Sequence, residues 1–252
     1  MQEIFTAIIL SVIQGVLEFL PVSSSAHFLS FANNIANINK EEAKFFAEFA
    51  TFLVTLNYFK SIIIGHIVGV FQKEKNSFSF FFKIIIASIP AFFIFIFFKN
   101  IFNIGNIAIF LILGSLLMIF AEVIFFLTKN KQKTINLNEV TFKQAFFIGL
   151  IQVFSGFSGF SRSGSTISSA LICGFSRSLS ITFSFLISLP ITFASIGYSA
   201  FKINPSINFI NIFIFILTFL IASFAIKICF KVLNKYNLIY FAIYRILLSY
   251  II

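Results

Sequence analysis

Residues 104–127 carry one charged side chain, Glu122, in a run otherwise made of aliphatic, aromatic and small residues. A helix needs about 20 such residues to cross the hydrocarbon of a bilayer, or about 17 at the short end. The pattern recurs along the chain: apolar segments read at 4–20, 45–71, 84–98, 104–127, 142–156, 166–175, 180–200, 207–230 and 236–252, with Lys-bearing connections between them. Segments 84–98 and 142–156 are marginal for a span, and 166–175 is too short to cross. Composition rules out an aqueous fold. Only 10% of residues are charged and the mean hydropathy is +1.04, whereas a soluble surface draws on roughly 25% charged residues. Lipid is therefore the solvent. In lipid every backbone polar group must be satisfied internally, which restricts spanning structure to helices or a closed barrel. Segments of this length read as helices. The expected fold is an all-α polytopic membrane bundle, a single membrane domain over 1–252.

The net charge of +10 does not point to nucleic acid. The cations are spread through short connections, where the bias of Lys and Arg toward the cytoplasmic side places them. Loops 72–83 (Lys73, Lys75, Lys83), 129–143 (Lys129, Lys131, Lys133, Lys143) and 231–235 (Lys231, Lys235) are assigned to the cytoplasm. Loops 99–103 and 201–208 hold one Lys each and go outside, as does the region 33–44. The N-terminus, Met-Gln-Glu, has no basic region before its apolar stretch, so no signal peptide is expected. Cys173 and Cys229 lie in apolar runs without a CxxC spacing and read as inert thiols.

A repeat at an offset of 138 aligns Gln14 with Gln152, Phe19 with Phe157, Ser23 with Ser161, Ser25 with Ser163, and Ala26 with Gly164. The Lys map makes the two segments enter from opposite faces. Residues 4–32 would run in from outside and turn back, and residues 142–175 would do the same from the cytoplasm. That is the pattern of an inverted-topology repeat, with halves at about 1–128 and 140–252, whose broken helices meet at mid-membrane. Irregular polar backbone at that depth is tolerated only where it lines a cavity.

The polar residues of these two segments carry the chemistry. Gln14 and Glu18 share one helix face. Pro21 stops that helix, and Ser23, Ser24, Ser25 and His27 follow within a few residues. A carboxylate inside an apolar run costs at least about 2.5–3.5 kcal/mol on insertion scales, which marks Glu18 as functional. The simpler reading of Ser23–Ser25 alone is a capped helix break. The second segment reads Gly159-Phe160-Ser161-Arg162-Ser163-Gly164-Ser165-Thr166 and opens the short run 167–175. Glycines allow close backbone approach, hydroxyls at a helix start suit an anion, and Arg162 offers a planar fork for phosphate oxygens. No Walker-type GxxxxGK[ST] occurs. Together the segments suggest phosphoryl transfer, which is mostly positioning and charge stabilisation. Ser24 and His27 lie three apart, so one turn could pair hydroxyl with imidazole. Glu18 would then either accept the hydroxyl proton or orient the imidazole. His66 reads as interfacial, Glu122 as a helix-packing carboxylate, and Arg177 and Arg245 as structurally paired.

At these residues the sequence resembles the undecaprenyl-diphosphate phosphatase family, also called the bacitracin-resistance phosphatases. The likeness rests on Gln14, Glu18 and FLPVSSSAH (19–27), on SGFSRSGST (158–166), and on IPA (89–91), GSLLMIFAE (114–122), FKQAFFIGLIQ (142–152), FSFLISLP (183–190) and FAIYR (241–245). The resemblance implies hydrolysis of a polyprenyl diphosphate to the monophosphate in the bacterial cytoplasmic (inner) membrane, with a site open to the external side. It implies a divalent metal, Mg²⁺ or else Ca²⁺, with Glu18 and Gln14 as its ligands. It implies catalytic roles for Ser24, His27, Glu18 and Arg162, and substrate contacts from Ser161, Ser163, Thr166, Ser23 and Gly164. The partners are the lipid substrate and membrane lipids, with a homodimer as the assembly to test. The sequence departs from the family pattern at Gln14 (often Glu), Ala26 (often Gly), Glu48 (usually Gln) and Ser158 (usually Pro). Inverted repeats and broken helices also suit a transporter or flippase of the lipid carrier or an anion, and that alternative stays open at this point.

Overall fold

Polar caps decide where the apolar runs become helices. The computed structural model describes residues 2–33, 38–98, 101–102, 106–128 and 134–252. Ten α-helices occur among them: α1 Gln2–Leu17, α2 Ser24–Asn33, α3 Lys40–Phe71, α4 Lys75–Phe98, α5 Ile107–Leu127, α6 Phe142–Gln152, α7 Arg162–Ile172, α8 Arg177–Ile203, α9 Phe209–Lys235 and α10 Leu238–Ser249. Asn39, Asn106, Thr141, Ser161, Ser176 and Asn208 each accept a hydrogen bond from a backbone N–H in the first turn that follows. Thr141 and Gln144 form a full capping box. Helices α3, α4, α5, α8 and α9 are long and apolar enough to cross a membrane. The chain is thus an all-α polytopic membrane bundle. No strand occurs among the described residues, only one isolated bridge between Thr134 and Phe175.

Several boundaries differ from the reading of the sequence. Helix α4 begins at Lys75, so the segment read as marginal, 84–98, belongs to a helix of 24 residues. The loop expected over 72–83 shrinks to 72–74, because Lys83 turns inward and donates to the carbonyls of Leu137 (3.3 Å) and Asn138 (3.0 Å). An interior lysine with backbone acceptors does not end a helix. The loop expected at 231–235 is likewise the last turn of α9, and the chain breaks only at Tyr236. Lys129, Lys131, Lys133 and Lys99 lie outside the described residues.

Helix packing follows a pattern. Helix α1 lies on α9 and α4 on α6; α5 pairs with α10 and α3 with α8; α3 packs on α9 and α4 on α8. These six contacts map onto one another when α1–α5 are exchanged in order for α6–α10, whereas the packing of α7 on α5 and α8 has no counterpart of similar extent at α2 among the described residues. Helix α6 approaches α4 closely because Gly149 lacks a Cβ, which would overlap the Ala87 carbonyl. The main core runs from Phe19 through Phe59, Phe80, Phe175, Phe183 and Phe185 to Phe230. It forms behind the two short-helix pairs and fixes their turns.

Candidate active site

The turn between α1 and α2 starts as a tightening helix. Glu18 N–H still reaches the Gln14 carbonyl (3.2 Å), but Phe19 and Leu20 bond three residues back, to Val16 (3.4 Å) and Leu17 (3.2 Å). Pro21, which has no N–H, ends the ladder. Ser23 then takes φ 69°, a left-handed value for a residue with a Cβ. The turn between α6 and α7 repeats this, through a 3₁₀ turn at Val153–Gly156, Gly159 at φ 104° and Ser161 at φ 69°. Ser23 and Ser161 are one of the two serine pairs that the repeat aligned. Such backbone costs roughly 1–3 kcal/mol per residue and persists only where its surroundings hold it.

The tips of the two turns meet. Glu18 Oε2 accepts from Ser24 Oγ at 2.6 Å and from Gln14 Nε2 at 3.0 Å. Its other oxygen, Oε1, is ion-paired with Arg162 Nη2. Arg162 Nη1 donates to Thr192 Oγ1 on α8, and that hydroxyl donates to the Ser188 carbonyl at 2.8 Å. Ser163 Oγ donates across the tips to the Leu20 carbonyl at 3.2 Å. The Arg162 and Glu18 side chains keep 24% and 17% of their surface accessible, so the cluster is open to a ligand. Ser24 and His27 are half-buried as well.

Other residues expected at the site face inward. Thr166 Oγ1 donates to the Arg162 carbonyl (2.8 Å) and contacts Ser184 Oγ. Ser161 Oγ accepts from Gly164 N–H (3.2 Å), and Ser161 O from Ser165 N–H (3.0 Å). Ser23 Oγ sits 3.3 Å from Ser25 Oγ and is buried. In this arrangement Ser163 and Thr166 donate within the turns, and Ser23 and Ser161 accept from the N–H groups of Ala26 and Gly164. The pairing of Ser24 with His27 is not formed. His27 Nδ1 lies 2.8 Å from the Ser23 carbonyl, so it carries the proton, and Nε2 meets Tyr244 OH at 2.7 Å. The His27 and Tyr244 rings lie parallel, with centroids 5.7 Å apart. The Ser23 carbonyl, the first acceptor of α2, lies one turn before the imidazole and takes the Nδ1 proton, a partner that the spacing of three residues between Ser24 and His27 did not reveal.

A resident divalent ion does not fit these donors. The one carboxylate is met by a guanidinium, a hydroxyl and an amide N–H, a set that complements negative charge. Gln14 turns its nitrogen, not its oxygen, toward Glu18. No group of three or more His, Cys or Glu side chains suited to a metal occurs among the described residues.

The remaining candidates are structural. Arg177 pairs bidentately with Glu122 at 2.8 Å on both arms. His66 stacks on Phe80 at 4.0 Å. Glu48 pairs with Lys44 on its own helix. Reading the sequence missed Thr192 and Tyr244. The only signal for Thr192 was a hydroxyl two residues past Pro190 in an apolar run. Arg245 forms no ion pair among the described residues; its partners are backbone carbonyls.

Fold and site together define a polytopic membrane protein whose two helix breaks join a serine–carboxylate pair to an arginine. Residues 7–251 match the family model described as Bacitracin resistance protein BacA, and the chain belongs to that family. It is 34% identical to the undecaprenyl-diphosphatase of Buchnera aphidicola subsp. Acyrthosiphon pisum (strain Tuc7), over 99% of this chain and 96% of the relative. It is 35% identical to that of Campylobacter fetus subsp. fetus (98% and 96%) and 34% identical to undecaprenyl-diphosphatase 1 of Bacillus thuringiensis subsp. konkukian (99% and 97%).

Proposed function

We propose that this protein is an integral membrane phosphatase that hydrolyses undecaprenyl diphosphate to undecaprenyl phosphate and phosphate, returning the lipid carrier to cell-wall synthesis. Family membership and full-length likeness to undecaprenyl-diphosphatases support that activity over a transporter. Removing the diphosphate form would also underlie bacitracin resistance.

The observation that carries the mechanism is the 2.6 Å hydrogen bond from Ser24 Oγ to Glu18. Ser24 Oγ attacks the terminal phosphorus as Glu18 accepts its proton. The bridging P–O bond breaks and the monophosphate leaves as a stable anion, which needs little protonation. Arg162 exchanges Glu18 for the phosphoryl oxygens and holds them as charge builds, with Thr192 fixing its second arm. Water then attacks the phosphoserine, and the proton on Glu18 returns to Ser24 Oγ. His27 supports the turn that carries Ser24. A divalent cation such as Mg²⁺ would be held chiefly by the diphosphate oxygens, with Glu18 as the protein carboxylate in reach, and would supply positive charge to the phosphoryl group.

The two short-helix pairs are re-entrant in this reading, and the halves 1–128 and 140–252 form an inverted repeat. The exchange symmetry of the helix contacts and the matching φ at Ser23 and Ser161 support both. The protein resides in the bacterial inner membrane with the site open to the external face; a homodimer is the assembly to test. Rapid-quench labelling with a terminally ³²P-labelled diphosphate tests the chemistry. The label should appear on the peptide containing Ser24 and be absent in Ser24→Ala. Turnover with no phosphoenzyme, even in a variant slowed in its breakdown, would leave direct water attack as the route.

A further inference from the structure

Arg245, on α10, is the largest side chain wholly enclosed by the fold, with 0% exposure. A guanidinium taken out of water ordinarily meets a carboxylate, because an unpaired buried charge is costly. Arg245 meets backbone carbonyls from three separate segments. Nη1 donates to Pro21 O at 3.2 Å. Nη2 lies 2.8 Å from Gly159 O and 3.0 Å from Phe160 O, with the carbonyls of Leu111 (3.2 Å) and Phe110 (3.4 Å) on α5 behind them. Gly164 closes the cradle, since a Cβ there would stand 3.1 Å from Nη1. Pro21 lies in the turn between Glu18 and Ser24. Gly159 and Phe160 immediately precede Ser161 and Arg162.

We propose that Arg245 is a positioning residue for phosphoryl transfer. Its rigid fork sets the separation of the turn carrying Glu18 and Ser24 from the turn carrying Arg162. The inference rests on those three residues being the reacting site. Both turns leave carbonyls that no helix satisfies, and a membrane interior supplies no water to satisfy them. One planar group whose two Nη atoms sit in a fixed fork satisfies carbonyls of both turns, Nη1 on Pro21 and Nη2 on Gly159 and Phe160, and so registers one against the other, while Nε has no partner among the described residues. A lysine keeps the charge, but its three donors radiate from a single point and do not span both turns. Register matters because phosphoryl transfer is mainly positioning, and a displacement of about 1 Å can cost about 10²-fold in rate.

The test uses the full-length protein in detergent and phosphate release from a polyprenyl diphosphate with Mg²⁺. Arg245→Lys leaves carbonyls of one turn unpaired and should lower the thermal midpoint; at a temperature where the variant stays folded it should lose about 10²-fold in kcat and shift KM by less than about threefold. Gly164→Ala crowds the same guanidinium from the other side and should lower kcat by a smaller factor. The double variant should lose no more than Arg245→Lys alone, because both changes act through one contact. Parental kcat in Arg245→Lys, or losses that multiply in the double variant, would overturn the proposal. Should Arg245→Lys not fold, Gly164→Ala decides: a loss in kcat at unchanged KM supports positioning, and an unchanged kcat overturns it. Ser24→Ala and Arg162→Lys run alongside. If both are inactive while Arg245→Lys is normal, this inference alone falls. If both keep parental activity, the site assignment falls and the inference with it.

Discussion

Glu18 stands in an apolar helix and collects a guanidinium, a hydroxyl and an amide N–H. Its Oε2 accepts from the Ser24 hydroxyl and its Oε1 meets the guanidinium. Gln14 is the neutral member of this set, which gives it a testable consequence. Gln14→Glu would place a second carboxylate at the 3.0 Å contact with Glu18. Two carboxylates that close do not both ionise unless a cation bridges them. The variant should therefore reach half-maximal activity at about tenfold lower Mg²⁺, the factor that 1.4 kcal/mol of extra affinity supplies. A magnesium titration superimposable on the parent would show that Gln14 does not face the substrate-borne ion. At this scale the sequence made Glu18, Ser24 and Arg162 legible, because a carboxylate, a serine run and an arginine stand out in apolar surroundings. The surroundings of His27 were not legible: its spacing from Ser24 suggested a pair, whereas Nδ1 meets the Ser23 carbonyl one turn back and α10 supplies Tyr244 for Nε2.

Helix ends were read only approximately, because the apolar runs alone marked them: the capping side chains Asn39, Ser161 and Ser176 start α3, α7 and α8 at Lys40, Arg162 and Arg177, ahead of the apolar segments read from 45, 166 and 180. The extents of α4 and α9 were not legible, because Lys83 and Lys231 looked like loop cations and lie within helices. Glu122 joins three helices: from α5 it accepts both arms of Arg177 at the start of α8, and the Leu238 N–H at the start of α10 at 2.7 Å. The pair is largely buried, with 13% and 5% of the side-chain surface exposed. Glu122→Gln leaves Arg177 charged without an anionic partner and should destabilise the bundle by about 3–5 kcal/mol. A thermal scan of purified protein reads this as a clear drop in midpoint, with KM of the surviving enzyme unchanged. An unshifted midpoint would remove this ion pair from the forces that tie α5, α8 and α10 together.

The whole molecule raises the question of which way it faces. Lys placement predicts a cytoplasmic α9–α10 connection and an external α8–α9 connection. A membrane-impermeant thiol reagent applied to intact cells, in a background with Cys173 and Cys229 replaced, should label Lys202→Cys and spare Lys235→Cys. The reverse pattern would invert the molecule and turn the site toward the cytoplasm. The sequence by itself determined that this chain is a helical membrane protein, because a chain with 10% charged residues cannot coat itself in water and its apolar runs match a bilayer's thickness. It also singled out the two polar segments to which the chemistry is assigned in the proposed function, because polar residues are costly in such runs. Only the tertiary structure decided how those segments work together. The Glu18–Arg162 pair spans 144 residues of sequence, the Tyr244–His27 contact 217, and the bond from Arg245 to the Pro21 carbonyl 224. Each depends on helices α1, α2, α7, α8 and α10 packing at fixed angles. Local patterns report the partners of a side chain along its own helix; they carry no information about which distant turn will be brought within hydrogen-bonding reach.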